Sequence, residues 1–193
     1  MSRPIIIGLT GQRSVGKSTA AQIMERQFGF VSVHPYAGGK VAAMAYFRHL
    51  GADEDLAWRM VYGDMKDCRS DILPGRATPR HFMEEDGRFR GTVLGYEWTL
   101  GAELDRATRK GVRRIVVESI VYEAPALAAR GGLIYRIERP GHQGPAGTLT
   151  GPAQAGIPVD GTIENNGILE SYERAVAEFI RRVVIDWGNP IGA

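Results

Sequence analysis

A short apolar run near the start of the chain, followed at once by a glycine-rich turn and a helical pattern, constrains the fold most. Residues 5–9 are apolar and mostly β-branched, which is typical of a strand buried in a parallel sheet. Residues 8–16 supply turn-forming residues, and from Lys17 apolar positions recur at helical spacing until Gly29. The chain is therefore predicted to begin with a strand, a glycine loop and a helix.

Strands and helices alternate along the rest of the chain. Further strands are predicted at residues 30–33, 114–118, 133–137 and 162–163, with helical patterns between them and after the last. Thr78 and Pro79 are typical of a helix start, because threonine caps the first turn and proline fits within it. This alternation predicts an α/β fold of three layers, with a central parallel sheet and helices on both faces. The length of 193 residues fits a single domain over residues 1–193.

Residues 140–156 differ from the rest of the chain. They are rich in glycine and proline and show neither a helical nor a strand pattern. Long loops without regular structure are uncommon in compact domains and usually serve a function. We therefore predict a mobile loop over residues 140–156 that covers a binding site.

Composition excludes several classes of site. Cys68 is the only cysteine, so an internal disulfide and a four-cysteine zinc site are excluded. The four histidines are scattered without the spacing of metal ligands. The apolar run at the N-terminus is far too short for a signal peptide or a membrane span. We expect a cytoplasmic protein that does not enter a membrane, and the sequence leaves its oligomeric state open, a homodimer included.

Residues 11–18 read GQRSVGKS and match the phosphate-loop pattern GxxxxGK[ST] in full. A phosphate chain needs closely spaced backbone N–H donors, which glycine permits, and the following helix directs its positive end at the anion. Lys17 is expected to reach the β- and γ-phosphates of ATP, and the Ser18 hydroxyl to bind Mg²⁺. The predicted ATP-binding residues are Gly11, Gln12, Arg13, Ser14, Val15, Gly16, Lys17, Ser18 and Thr19.

Glu118 ends a predicted strand. A phosphate loop needs a carboxylate on a neighbouring strand to hold the metal and its water shell. Because glutamate is longer than the usual aspartate, direct and water-mediated contact with Mg²⁺ both stay open. We predict Ser18 and Glu118 as the metal-binding pair.

Five further segments stand in a recognisable order. They are residues 35–40 (PYAGGK), 78–83 (TPRHFM), 118–123 (ESIVYE), 131–139 (GGLIYRIER) and 160–167 (DGTIENNG). Together with the loop at 11–19 they resemble the phage-type deoxynucleoside monophosphate kinases, a branch of the P-loop nucleotide kinases, over nearly the whole chain. The resemblance implies transfer of the γ-phosphoryl group of ATP to a nucleoside monophosphate. It also implies the host cytoplasm as the location if the chain is phage-encoded.

The resemblance implies roles for individual side chains. The catalytic residues are predicted to be Lys17, Arg80 and Arg139, and the acceptor is predicted to contact Lys40, Arg80, Arg88, Arg90 and Glu123. Arg80 lies in the first turn of the helix predicted to start at Pro79, where the helix dipole also favours a phosphate. Arg88 and Arg90 are expected to contribute from the next loop.

Three departures from the family surround the expected acceptor site. Gly38 replaces an acid, residues 118–120 lack the arginine of the family's Asp-x-Arg, and residues 86–88 (DGR) replace Gly-Thr-Glu. Two other interpretations therefore stay open: a kinase that phosphorylates a hydroxymethylated pyrimidine base in DNA, and a nucleotide-binding switch without transfer activity. Binding to DNA would depend strongly on salt concentration, whereas binding to a mononucleotide would depend on it little.

Overall fold

The computed structural model describes residues 3–142 and 151–188. The chain divides into two compact units, one made of Met1–Pro35 with Leu100–Ala193 and the other of Tyr36–Thr99. We call the first the sheet unit and the second the helical unit. That residues 1–193 form a single domain stays a prediction.

The sheet unit contains five parallel strands. They are β1 (Ile5–Thr10), β2 (Val31–Val33), β3 (Arg114–Val117), β4 (Leu133–Glu138) and β5 (Gly161–Glu164). Their order across the sheet is β2-β3-β1-β4-β5, so β1 lies at the centre, with Gly8 opposite Val117 on one side and Ile134 on the other. The predicted parallel sheet and the buried position of the first strand are both confirmed.

Helices connect these strands and form the helical unit. They are α1 (Lys17–Phe28), α2 (Ala37–His49), α3 (Glu54–Val61), α4 (Pro79–Leu94), α5 (Tyr96–Arg109), α6 (Ala124–Ala129), α7 (Gly151–Ala155) and α8 (Leu169–Gly188). Within residues 3–142 and 151–188, no helix has both the length and the apolar character needed to cross a bilayer.

Alternate residues of the strands pack into two separate hydrophobic cores. Ile7 and Leu9 belong to one core, which includes buried residues of α1 and α8. Ile6 and Ile115 belong to the other, which includes buried residues of α5 and α6. Because side chains along a strand point alternately to opposite faces, the two cores lie on opposite sides of the sheet. The predicted three-layer α/β arrangement is therefore confirmed.

The prediction that residues 140–156 lack regular structure is wrong at α7. Ala153, Gln154 and Ala155 suit a helix, and its C-terminal carbonyl groups find a donor in Arg136. The Arg136 guanidinium donates hydrogen bonds to the carbonyl oxygens of Gln154, Ala155 and Ile157, at 3.3, 3.3 and 2.8 Å. Residues 143–150 of the predicted mobile loop lie outside the described residues.

The helical unit is built from α2, α3 and α4 around a core that contains Phe47, Met60 and Met83. Helix α4 starts as predicted, since the backbone N–H of His81 donates to the Thr78 hydroxyl over 3.1 Å. The predicted placement of Arg88 and Arg90 in a loop is wrong, because α4 continues to Leu94.

Two glycines explain why α4 is longer than its sequence suggests. A Cβ added to Gly91 would lie 2.1 Å from the ring of Tyr96, and one added to Gly87 would lie 3.4 Å from the ring of Tyr36. Gly91 therefore leaves the room that the Tyr96 ring occupies, while Gly87 is in ordinary contact with the Tyr36 ring. Their contacts with the rings offset the low helix propensity of glycine.

Candidate functional site

The loop between β1 and α1 has the backbone conformation that a phosphate loop requires. Gly11 and Gly16 have φ values of 132° and 108°, and Ser14 has a φ of 65°. A Cβ on Gly11 would lie 2.4 Å from the carbonyl oxygen of Ile137, and one on Gly16 would lie 2.7 Å from Asn165 Nδ2. Both glycines are therefore needed for conformation and for close approach.

The N-terminal end of α1 has features that favour the binding of an anion. The helix begins at Lys17, and Ser18 and Thr19 follow in its first turn. Gly16 at the cap offers no side chain, and the first turn contains no acidic residue. Its backbone N–H groups have no partner inside the helix, and the helix dipole adds a partial positive charge. This arrangement fits a phosphate group.

Lys17 folds back over the loop. Its Nζ donates hydrogen bonds to the carbonyl oxygens of Gly11 and Gln12, each over 2.7 Å. Burial lowers the pKa of Lys17 from 10.5 to about 8, and the nearby negative charge of Glu118 opposes this change in part. The ammonium group is thus poorly hydrated and incompletely compensated, a state that an anionic ligand would relieve.

Glu118 joins two hydroxyl groups just beyond the end of β3. Ser18 Oγ donates to Glu118 Oε2 over 2.9 Å, and Ser32 Oγ donates to Glu118 Oε1 over 2.6 Å. The structure thus brings the predicted pair Ser18 and Glu118 together and adds Ser32, which sequence reasoning missed. Ser32 lies on β2, and the pairing of β2 with β3 brings it to Glu118. No local sequence pattern predicts this contact.

The residues around Ser18 fit Mg²⁺. The described residues contain no group of three or more His, Cys, Asp or Glu side chains able to hold a metal. Magnesium needs no such group, because it keeps several water molecules and takes its remaining ligands from one or two protein oxygens and the phosphates. One hydroxyl and one carboxylate, already in contact, satisfy that requirement.

A cavity of about 400 Å³ adjoins the loop within the sheet unit. Its lining includes Gly11 and Gln12 of the loop, and Arg139 and His142, which follow β4. Its volume is in the range of small-ligand pockets. His142 Nε2 lies 2.8 Å from the carbonyl oxygen of Arg13, which ties the segment after β4 to the loop. Arg139, predicted to be catalytic, therefore lies on a cavity shared with the predicted ATP-binding residues.

Arg80 and Lys40 both belong to the helical unit. Arg80 binds Asp67 in a two-pronged geometry, with Nε 2.5 Å from Oδ1 and Nη2 2.9 Å from Oδ2. This contact raises the pKa of Arg80. The Nζ atom of Lys40 lies 5.8 Å from the centre of the Tyr62 ring, within reach of a cation–π contact.

The other two predicted acceptor arginines lie on α4 and also have carboxylate partners. Arg88 pairs with Glu85, and Arg90 Nε donates to Asp86 Oδ2 over 2.6 Å. The Tyr36 hydroxyl donates to the same Asp86 oxygen over 2.6 Å. Burial and this hydrogen bond raise the pKa of Tyr36, so the hydroxyl stays protonated. An acceptor phosphate that uses these arginines must compete with carboxylates already in place.

Glu123, the remaining predicted acceptor residue, belongs to the sheet unit and precedes α6. Its Oε2 accepts a hydrogen bond from the backbone N–H of Val121 over 3.2 Å. Burial raises the pKa of this carboxyl group, while the backbone hydrogen bonds oppose the change. The side chain is therefore less acidic than an exposed glutamate.

Sequence reasoning also missed two residues behind the loop. Asn165 Nδ2 donates to the carbonyl oxygen of Val15 over 2.8 Å, and the Tyr172 hydroxyl donates to that of Gly16 over 3.0 Å. Asn165 falls in segment 160–167, which contributes to the family resemblance, but the sequence predicted no role for its side chain. Only contacts between distant parts of the chain assign it one.

Known structures resemble this chain at low sequence identity. The protein TT1252 from Thermus thermophilus has 20% identity and a TM-score of 0.48, with 94% of this chain and 98% of that one covered. A dephospho-CoA kinase from Campylobacter jejuni has 12% identity, a TM-score of 0.45 and coverage of 92% and 96%. A shikimate kinase from Bacteroides thetaiotaomicron has 10% identity, a TM-score of 0.45 and coverage of 92% and 98%. No protein-family model and no curated protein matches the sequence. Similarity at this level assigns no activity, so the chemistry has to come from the site.

Proposed function

We propose that the chain is a kinase that transfers the γ-phosphoryl group of ATP, with Mg²⁺, to a nucleoside or deoxynucleoside monophosphate. The observation that carries the proposal is the arrangement around Ser18. Its hydroxyl, in the first turn of α1, contacts a carboxylate that follows the neighbouring strand, while Lys17 lies across the adjoining glycine loop. These are the groups needed to hold a triphosphate together with a metal ion.

The donor phosphates would bind to the backbone N–H groups at the start of α1. Lys17 would exchange its hydrogen bonds to two carbonyl oxygens for bonds to phosphate oxygens, which carry full negative charge. That exchange stabilises the positive charge that burial disfavours. Lys17 thereby stabilises the negative charge on the transferring group.

Ser18 and Glu118 would hold the metal, with Ser32 fixing one carboxylate oxygen so that the other faces Ser18. When bound, Mg²⁺ neutralises charge on the phosphate oxygens of the donor. Ser32 contributes by limiting the rotation of the Glu118 carboxylate, because Oε1 is already engaged.

The chemistry of a monophosphate and the position of Arg80 both support a monophosphate as the acceptor. Its second ionisation lies near pH 6, so its oxygen is already a nucleophile at neutral pH and needs no general base. The oxygen attacks the γ-phosphorus, the bond from that phosphorus to the β–γ bridging oxygen breaks, and ADP leaves. Arg80 supports this assignment by its place in the first turn of α4 and by its two-pronged geometry toward Asp67, which a phosphate can imitate.

The test is a transfer assay with ATP labelled in the γ-phosphate. Acceptors are the common nucleoside and deoxynucleoside monophosphates, and DNA with and without hydroxymethylated pyrimidines. We expect the wild-type protein to form labelled nucleoside diphosphate. In Lys17→Ala the rate of transfer should fall by about 100-fold or more. The matched control is Lys110→Ala, an exposed lysine that follows α5.

The outcomes separate the alternatives. Label in hydroxymethylated DNA and in no monophosphate would overturn the acceptor and keep the kinase. Binding of ATP without transfer to any acceptor would favour a switch. Full activity of Lys17→Ala would contradict the role of the loop itself.

A further inference from the structure

Two peptide units of the phosphate loop are held from behind by side chains from one distant segment. Asn165 donates to the carbonyl oxygen of Val15 and Tyr172 to that of Gly16, at 2.8 and 3.0 Å. Both donors follow β5, on the segment that leads into α8 and on α8 itself. The carbonyl oxygens of two consecutive loop residues are thus both fixed by side chains that follow β5.

Asn165 is itself fixed in orientation. It is only 8% exposed, its backbone N–H donates to the carbonyl oxygen of Glu138 over 2.7 Å, and its Oδ1 accepts from the backbone N–H of Gly167 over 3.0 Å. Since Oδ1 faces an N–H group, the other end of the amide must be the NH₂ donor. Its hydrogen bond to Val15 is therefore specified by the surrounding backbone.

Tyr172 is fixed by burial of its ring in the core between α1 and α8. Burial raises the pKa of its hydroxyl, which therefore remains a donor. The carbonyl oxygen of Gly16 accepts a second hydrogen bond from the backbone N–H of Ala20, over 2.9 Å. A Cβ on Gly16 would lie 3.2 Å from Tyr172 Cε1, so loop and ring are in close contact.

The geometry of the peptide bond converts these contacts into an effect on the opposite side of the loop. In a trans peptide unit the C=O and the following N–H point in opposite directions. A carbonyl oxygen of Val15 held toward Asn165 therefore directs the N–H of Gly16 away from Asn165, and Tyr172 does the same for the N–H of Lys17. Among the described residues outside the helices and strands, neither N–H group donates to a backbone carbonyl oxygen.

We propose that Asn165 and Tyr172 are positioning residues that hold these two peptide units with their N–H groups toward the phosphate chain. Without Asn165, rotation of the Val15 peptide unit would present a carbonyl oxygen to the anion, which repels it. The Gly16 unit is also held by the Ala20 N–H, so without Tyr172 it would tilt by a smaller angle. The inference rests on the proposed function, because it takes the loop to be a phosphate site.

The experiment measures binding by calorimetry with two probes, ATP with Mg²⁺ and inorganic tripolyphosphate. The variants are Tyr172→Phe, which removes a single hydroxyl, and Asn165→Ala. The matched controls are Tyr46→Phe, in the helical unit, and Asn166→Ala, whose side chain caps the backbone at Ile168. We expect Asn165→Ala to bind both probes about tenfold more weakly and Tyr172→Phe about threefold more weakly, with the stoichiometry unchanged and the controls near wild type.

The two probes distinguish a positioning role from a structural one. Equal losses for the two probes support the proposal, because they share only the phosphate chain. A loss confined to ATP would overturn it, as would unchanged affinity with fewer binding-competent molecules, the mark of a merely structural role. If Asn165→Ala does not fold, Tyr172→Phe decides alone. Wild-type protein that binds neither probe would overturn the proposed function, whereas equal binding by wild type and variants would overturn this inference only.

Discussion

Replacing Lys17 by methionine tests whether the loop carries a cost in stability that phosphate binding relieves. Burial lowers the pKa of Lys17 from 10.5 to about 8, more than the nearby Glu118 can offset. Because the unfolded chain keeps the ordinary pKa, this difference corresponds to a destabilisation of the folded state of roughly 3 kcal/mol at pH 7. Methionine keeps the apolar stem and cannot carry the charge.

The net effect is smaller, since two hydrogen bonds are lost as well. The bonds from Lys17 to the carbonyl oxygens of Gly11 and Gln12 contribute about 1 kcal/mol each. We therefore expect Lys17→Met to be more stable than wild type by about 1 kcal/mol at pH 7, while transfer is lost.

The sign of the pH dependence follows from proton binding. Between pH 8 and 10.5 the unfolded chain holds the Lys17 proton and the folded protein releases it. The free energy of unfolding of wild type therefore rises with pH in this window relative to the variant, with a slope of up to about 1.4 kcal/mol per pH unit. The advantage of Lys17→Met should shrink and then reverse.

The assay is urea unfolding at several values between pH 7 and pH 10, without nucleotide and with a chelator. Groups other than Lys17 titrate alike in wild type and variant, so the difference between their unfolding free energies isolates this side chain. Lys110→Met serves as the control, because Lys110 is exposed. The difference in unfolding free energy between this variant and wild type should not change with pH. A flat difference for Lys17→Met as well would refute the reasoning from burial.

Three further outcomes are expected. Glu118→Gln should move the Mg²⁺ dependence of transfer to about tenfold higher concentration, measured from initial rates, while binding of tripolyphosphate without metal persists; an unchanged dependence would remove Glu118 from the metal site. Arg80→Ala should raise the KM for the monophosphate about tenfold and leave that for ATP unchanged, unlike the exposed Arg76→Ala. A defect confined to the ATP constant would instead move Arg80 to the donor side. Thr78→Ala should lower the free energy of unfolding by about 1 kcal/mol through loss of the cap, with little effect of Thr92→Ala in urea titrations. Equal effects of the two would contradict the capping argument.

Features that depend on neighbouring residues in the chain could be predicted from the sequence. The buried strand β1, the loop after it and the start of α1 follow from a run of about thirty residues, and all are where they were predicted. The cap at Thr78 belongs to the same class, because the side chain bonds to a backbone group three residues away. Such signals are local, and tertiary packing reinforces them here.

Local signals failed where a side chain of another element packs against or bonds to a segment. Arg88 and Arg90 were predicted to lie in a loop, yet α4 continues through both, and the rings of Tyr36 and Tyr96 lie against Gly87 and Gly91. Helix α7 falls in a segment rich in glycine and proline, and Arg136 of β4 donates hydrogen bonds to its last carbonyl groups, those of Gln154 and Ala155. In both cases a partner from elsewhere in the chain outweighs a weak local propensity.

The sequence by itself determined the alternating α/β order, the phosphate loop and the presence of Lys17 and Ser18 at its end. Each of these features depends on a short sequence segment, in which backbone torsions and side-chain periodicity decide the local structure. Only the tertiary structure decided what surrounds the loop. Asn165 reaches Val15 across 150 positions, and Ser18 reaches Glu118 across 100. Contacts of that range depend on the order of the parallel strands, which places the residues after β1, β3 and β5 at the same end of the sheet, and neither segment alone predicts them.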